Sequence, residues 1–131
     1  MTMSRRNTLF AVATFGMLVA APAFAQQGSK FAPETLAEAQ KAGKTVLVEI
    51  SAPWCPVCKA QQPIIGKLLT TDKYKSFVKL DVDFDSQKAA LKQLNAQKQS
   101  TLIVYKGSKE VGRSVGDTSA ASIEALLAKA L

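Results

Sequence analysis

Residues 45–50 (TVLVEI) are the segment that most restricts the fold of this 131-residue chain. Nearly every position is apolar or β-branched, which is typical of a strand whose two faces are both covered. The one exception is the carboxylate of Glu49. Because a sheet that is buried on both faces needs helices on both sides, this segment predicts a layered α/β domain.

The remaining segments predict the order of elements around this strand. Helices are predicted at residues 33–41, 55 to about 69, 86–95 and 119–131, and strands at 77–83, 102–105 and 110–115. Pro63 should kink the second helix, and Asp85 or Ser86 can cap the third. Residues 106–109 are typical of a tight turn between antiparallel strands. The sequence therefore predicts a mixed central sheet flanked by helices, with Ile123, Leu126, Leu127 and Ala130 on the buried face of the last helix.

Both cysteines of the chain stand in one short stretch, Trp54-Cys55-Pro56-Val57-Cys58. A disulfide between them closes a loop too small to add much stability through chain entropy, which favours long loops. Two thiols at this spacing are better suited to forming and breaking a disulfide in turn. We therefore expect a thiol-disulfide oxidoreductase.

The first 25 residues are typical of an export signal. Arg5 and Arg6 are followed by a mostly apolar run over 9–21 and by Ala-Phe-Ala at 23–25. The run is too short and too rich in alanine for a membrane span, which needs about 20 apolar residues. We expect cleavage after Ala25, by the Sec or the twin-arginine route, and one domain over residues 26–131.

Charge and compartment restrict the partners of this domain. Removing residues 1–25 lowers the net charge from +7 to +5, and the lysines are spread along the chain rather than clustered with aromatic residues. This pattern favours a solvated basic surface over nucleic-acid binding. In an oxidising compartment a dithiol persists only if something reduces it, so we expect a membrane-bound electron donor. We also expect a monomer, and neither a cofactor nor a metal.

Several spaced residues resemble the thioredoxin superfamily, and most of all periplasmic thioredoxin-like domains. The resemblance covers nearly all of residues 26–131. It rests on Trp-Cys-x-x-Cys-Lys at 54–59, Pro63, Gly116, Glu49 and Lys79. It implies a thioredoxin-like fold, a periplasmic location, protein disulfides as substrates, and an acid–lysine pair beneath the cysteines.

The two cysteines should have different roles, because disulfide exchange needs an attacking thiolate and a second thiol that resolves the mixed disulfide. We expect Cys55 to be the exposed attacker at the N-cap of a helix, with Pro56 at its first position. The N–H groups of Val57 and Cys58 would then point at its sulfur. Cys58 should be less exposed and resolve, and Trp54 should pack over the rim.

Glu49 is the expected proton acceptor for Cys58, because the chain contains no histidine. Burial disfavours the charged form of a carboxylate, which would suit Glu49 to take up and return a proton directly or through water. The alternative is that Glu49 only forms a buried ion pair with Lys79. Both interpretations can hold together.

Ser100 is a departure from the family pattern, since it stands where the family has a cis-proline before the strand that begins at Thr101. A cis bond to a residue other than proline costs ~2.5–4 kcal/mol, so we expect the 99–100 bond to be trans. In the family this loop faces the cysteines and binds an extended substrate segment by strand addition. Ser100 and Thr101 are therefore the predicted substrate-binding loop.

Two other functions remain open from the residues alone. Two thiolates could bind metal in a metallochaperone, although structural zinc usually takes four ligands and this chain would need an external ligand or a dimer. The disulfide could also be a structural bond in a binding module. Val57, between the cysteines, brings neither a charge nor a hydrogen bond to the thiolate, so we expect a moderate to reducing couple that works as a reductase or isomerase.

Overall fold

The computed structural model describes residues 28–131, so the predicted export signal lies outside the described residues. The elements in chain order are β1 Ser29–Lys30, α1 Pro33–Lys41, β2 Thr45–Ser51, α2 Pro56–Leu69, β3 Val78–Asp83, α3 Lys88–Gln93, β4 Thr101–Lys106, β5 Lys109–Val115 and α4 Ala120–Ala128. No helix in this part of the chain is long and apolar enough to cross a membrane.

The five strands form one sheet in the order β1-β3-β2-β4-β5. The three strands β1, β3 and β2 are parallel, whereas β4 runs antiparallel to both β2 and β5. The crossover helices α1 and α2 join the parallel strands, α3 leads from β3 to β4, and a two-residue turn joins β4 to β5. The predicted mixed sheet is confirmed, with the apolar strand β2 at its centre.

Side chains of β2 alternate between the two faces of the sheet, as they must in a strand. Val46, Val48 and Ile50 pack in one cluster with residues of α1 and α3. Leu47 packs on the opposite face with residues of α2 and α4 and with Ala130, which lies just past α4. This cluster contains the four residues predicted on the buried face of the last helix: Ile123, Leu126, Leu127 and Ala130. The sheet therefore has a core on each side, and Glu49 points to the side that α2 and α4 cover.

The turn between β4 and β5 shows why glycine is needed at one position. Lys106 pairs with Lys109 across the turn. Gly107 has a φ of +58°, and its N–H donates to the carbonyl of Lys44 at 2.9 Å. A positive φ costs glycine little, so this residue lets the chain reverse directly.

Helix α3 is shorter than predicted, and neither Asp85 nor Ser86 caps it. The helix begins at Lys88, and its N-cap residue Gln87 makes no capping hydrogen bond with its side chain. Instead, the carboxylate of Asp83 accepts hydrogen bonds from the N–H groups of Asp85 and Ser86 at 3.0 and 2.8 Å. This local bonding competes with helix formation and keeps these residues in a turn.

The two ends of the domain also differ from the predictions. Helix α4 ends at Ala128 rather than at residue 131, while Ser119 caps its start by accepting from the N–H of Ser122. Strand β1 is a new element, which pairs with Leu80 and Asp81 of β3. Two residues carry no periodic signal, so the sequence did not indicate this strand.

Candidate active site

The two cysteines lie at the start of α2 and form a disulfide with Cα atoms 5.3 Å apart. Cys55 is the N-cap residue, Pro56 occupies the first turn, and the Cys58 N–H donates to Cys55 Sγ at 3.1 Å. The predicted N-cap is therefore confirmed for the Cys58 N–H. This N–H and the partial positive charge of the helix start would stabilise negative charge on Cys55 Sγ.

Cys55 is not exposed, contrary to the prediction. It is 1% exposed, and Cys58 is fully buried. Both pack with Ala52, and Phe84 lies against the same cluster. In the disulfide form, exposure therefore does not distinguish the attacking cysteine from the resolving one, and the assignment of their roles rests on the N-cap position of Cys55.

Ser100 covers the disulfide. Its Oγ lies 3.1 Å from Cys55 Sγ and 3.3 Å from Cys58 Sγ, and the residue is buried. No peptide bond in residues 28–131 is cis, so the predicted trans bond before Ser100 is confirmed. The loop predicted to face the cysteines does so, and it brings a hydroxyl to both sulfurs.

Ser100 has an unusual backbone conformation that two hydrogen bonds hold in place. Its φ is +61°, in the left-handed region that residues with a Cβ seldom occupy. Its carbonyl accepts from Gln61 Nε2 at 3.2 Å and from the Gly116 N–H at 2.9 Å. Helix α2 and the segment after β5 therefore both anchor the residue that touches the sulfurs.

Gln61 is a site residue that the sequence analysis missed. It is fully buried on α2, one turn after Cys58, and its side-chain N–H₂ also donates to the carbonyl of Asp117 at 2.8 Å. Its Oε1 has no hydrogen-bond partner among residues 28–131. The available signal was an amide side chain three positions after Cys58, on the helix face that turns toward the sheet.

Thr101 lies inside the sheet, opposite Ile50 of β2 and Val115 of β5. The residue is buried, and its Oγ1 donates to the carbonyl of Lys98 at 2.6 Å. Its side chain therefore serves the local fold. A contact between Thr101 and substrate stays a prediction.

Glu49, Lys79 and Asp81 form an ionic group on the face of the sheet that α2 covers, buried at Glu49 and partly exposed at Asp81. Glu49 is 1% exposed, and its Oε2 lies 2.6 Å from Lys79 Nζ, which confirms the predicted pair. Lys79 Nζ also makes a close ion pair with Asp81. The register places Glu49 opposite Asp81, and alternation along β3 puts Lys79 and Asp81 on one face. Asp81 was not predicted as part of the site.

Lys79 and Glu49 differ in how well their neighbours stabilise their charges. Burial by itself would lower the pKa of Lys79, but the carboxylates of Glu49 and Asp81 outweigh it and hold the pKa above its ordinary value. Lys79 is thus a cation at neutral pH. Neither oxygen of Glu49 has a hydrogen-bond partner in the described part of the chain, so its contact with Lys79 is close in distance without being a well-directed hydrogen bond. Proton transfer between Glu49 and Cys58 stays a prediction.

Trp54 lies beside the cysteines on the surface. The residue is 56% exposed, and its ring stands edge-on to Phe84 with the ring centres 6.4 Å apart and donates from Nε1 to Asp85 at 2.8 Å. The tryptophan is therefore held over the turn that follows β3. Val57, between the cysteines, is also exposed.

The surroundings of the cysteines bear on the metal-binding alternative. Within residues 28–131 there is no group of three or more His, Cys, Asp or Glu side chains that could hold a metal ion. A metal bound by the two thiolates would therefore find no third His, Cys, Asp or Glu ligand in this part of the chain.

Known proteins are similar to this chain in sequence and in structure. The family model described as Thioredoxin matches residues 27–129. The crystal structure of Trxlp from Edwardsiella tarda superimposes with a TM-score of 0.74 at 38% identity, covering 77% of this chain and 98% of that one. Thioredoxin-2 of Saccharomyces cerevisiae is 41% identical over 83 residues, which are 63% of this chain and 78% of the yeast protein. The thioredoxin of Chlamydia muridarum is 37% identical over 84 residues, or 64% and 80% of the two chains.

The match to the family model spans the sheet, its helices and the cysteine segment, and thioredoxins exchange disulfides with protein substrates. The predicted thioredoxin-like fold is confirmed by the same comparisons. The chain therefore belongs to the thioredoxin family and is a protein disulfide oxidoreductase.

Proposed function

We propose that this protein is an exported, periplasmic enzyme that reduces or isomerises disulfides in other proteins. The observation that carries the proposal is the hydrogen bond from the Cys58 N–H to Cys55 Sγ at the start of α2. Once the disulfide is reduced, this N–H can donate to a Cys55 thiolate, which is the form that attacks disulfides.

The reducing direction is supported by what surrounds Cys55. Its sulfur contacts the Cys58 N–H and the Ser100 hydroxyl, and no charged side chain of residues 28–131 forms a hydrogen bond to it. A neighbouring cation would stabilise the thiolate further and shift the couple toward oxidation of substrates. Val57, the neighbour in the motif, brings only an apolar side chain.

The exchange proceeds in two steps, attack on the substrate and resolution of the mixed disulfide. Cys55 thiolate attacks one sulfur of the substrate disulfide, forms a mixed disulfide, and releases the other substrate sulfur as a thiolate that takes a proton from water. Cys58 then loses its proton to Glu49, directly or through water, and attacks Cys55 Sγ. The second substrate sulfur leaves with the electron pair. The substrate has gained two electrons, and the enzyme holds the Cys55–Cys58 disulfide.

Export is supported by the sequence of residues 1–25. Because a dithiol in the periplasm needs a source of electrons, we propose a membrane-bound donor that returns the disulfide to the dithiol after each cycle, and a monomeric enzyme. Fractionation of cells that make the full chain, followed by mass measurement, should find a periplasmic protein that begins at Gln26. A cytoplasmic protein with the full mass would contradict export without affecting the chemistry of the cysteines.

Insulin reduction with dithiothreitol tests the activity. The wild type should accelerate the precipitation of insulin chains, and Cys55→Ser should lower the rate to the uncatalysed level because the attacking sulfur is gone. The matched variant Cys58→Ser keeps the attacker and should accumulate a mixed disulfide with the substrate. A wild type without activity that binds copper or zinc stoichiometrically would instead favour the metal-binding alternative. Equilibration with glutathione gives the direction.

A further inference from the structure

Ser100 brings to the disulfide a hydroxyl that the two exchange steps leave without a role. The Oγ lies 3.1 and 3.3 Å from the sulfurs of Cys55 and Cys58, at a buried position. A serine hydroxyl has one donor hydrogen and two acceptor lone pairs. It can therefore donate to one sulfur while it accepts an S–H from the other.

The backbone of Ser100 is held in place at a cost. Its φ of +61° is unfavourable for a residue with a Cβ, and strain of this kind persists where the surroundings enforce it. Here the enforcing contacts are the bonds from Gln61 Nε2 and the Gly116 N–H to the Ser100 carbonyl. These bonds fix the main chain so that the side chain lies over both sulfurs.

We propose that Ser100 is a catalytic residue whose hydroxyl donates a hydrogen bond to whichever of the two sulfurs carries negative charge. It donates to the Cys55 thiolate before attack on the substrate, and to the Cys58 thiolate as that forms before resolution. A hydrogen bond to a charged sulfur is stronger than one to a neutral disulfide. The hydroxyl therefore favours the reduced enzyme and makes the couple less reducing than the same site without it.

The assignment rests on the dithiol exchange in the proposed function but not on its direction or on export. Reduction of the Cys55–Cys58 bond takes two electrons, which two glutathione molecules supply as their thiols join in one disulfide. Of the two protons that these thiols release, one is bound to give a thiol and a thiolate, and the other goes to water. The Ser100 hydroxyl keeps its proton throughout and is neither oxidised nor reduced.

The test uses two variants that lack the hydroxyl. Ser100→Ala keeps the Cβ, whereas Ser100→Gly also removes the backbone strain and so is not expected to impair folding. The thiolate is followed by its ultraviolet absorbance against pH, and the disulfide–dithiol equilibrium is measured against glutathione. In both variants the ratio of thiolate to thiol at a given pH should fall about tenfold, and the equilibrium should shift about tenfold toward the disulfide.

Asn95→Gly is the matched control. Asn95 is the other residue with a side chain at positive φ in residues 28–131, at +50°, and no hydrogen bond joins it to either sulfur. The control relieves comparable backbone strain and should leave both measurements unchanged. Unchanged values in both Ser100 variants would overturn the proposal, and so would a shift in only one of them, because both lack the hydroxyl.

Insulin reduction by the wild type separates this proposal from the proposed function. A wild type that fails to reduce insulin while both Ser100 variants shift the thiolate titration would contradict the function and support the assignment of Ser100. A wild type that reduces insulin while neither Ser100 variant shifts the thiolate titration would support the proposed function and contradict the assignment of Ser100.

Discussion

The two faces of the sheet differ in what they bury. On the face covered by α1 and α3, strands β2 and β3 present only apolar side chains, among them Val46, Val48, Ile50, Leu80 and Val82. On the face covered by α2 and α4, the same strands carry Glu49, Lys79 and Asp81, while α2 contributes Gln61. Both faces carry an apolar core, but the face covered by α2 and α4 also accepts polar groups beside the helix that carries the cysteines.

This difference shows where the stability needed for the chemistry comes from. Burying a charge or an unpaired polar oxygen is unfavourable, as for Glu49 and for Gln61 Oε1. An apolar core on the opposite side of the same strands can offset that cost. Substitutions on the two faces should therefore affect stability and redox chemistry to different extents.

The largest effect on stability is expected when only one partner of the Glu49–Lys79 ion pair is replaced. Lys79→Met leaves the buried Glu49 without its cation and should lower the free energy of unfolding by ~3–5 kcal/mol. Glu49→Gln leaves Lys79 paired with Asp81, and Lys79 is 13% exposed, so the loss should be only ~1–2 kcal/mol. Urea denaturation measures both. Equal losses would show that Asp81 does not support Lys79.

A smaller effect is expected from the neighbour of Glu49 on the apolar face. Ile50 is fully buried, and Ile50→Val should cost ~0.5–1.5 kcal/mol in unfolding free energy. The equilibrium with glutathione should stay at the wild-type value, because the removed methyl group faces away from α2. A shift as large as that expected for Ser100→Ala would show that the two faces are not independent.

The smallest effect at neutral pH is expected from titration of Lys79. Since the pKa of Lys79 is raised in the folded protein, its stabilising contribution is fully present below the ordinary lysine value of 10.5 and is lost as pH rises through the higher folded value. The free energy of unfolding of the wild type, relative to that of the double variant Glu49→Gln/Lys79→Met, should thus stay constant from neutral pH up to that range. Above it, the wild type should lose stability relative to the double variant. A change that begins near neutral pH would contradict the raised pKa.

Most of the fold could be predicted because its signals are local. The apolar run of β2, the proline and glycine that bound α1, and the turn at Gly107 each act within a few residues. Helix α3 was predicted too long because the side chain of Asp83 bonds to the main chain, an effect that periodicity does not report. The missed strand β1 exists only through its pairing with β3.

The site was less predictable because it joins residues that are far apart in the chain. Cys55 and Ser100 are 45 positions apart, and Gln61 and Asp117 are 56 apart. No local pattern reports those contacts, and the burial of Cys55 depends on them. Glu49 was found as the one carboxylate in an apolar strand, and Lys79 through the family resemblance, whereas Asp81 becomes visible only once the register of β2 and β3 is known.

The position of Trp54 gives this enzyme an optical probe of its own. It is the single tryptophan of the chain and directly precedes Cys55. Its indole is held by Asp85 and Phe84 rather than buried in either core. Tryptophan fluorescence therefore comes from one location next to the reacting sulfurs. Oxidation state, substrate docking and the effect of each variant can be followed at that location in unlabelled protein.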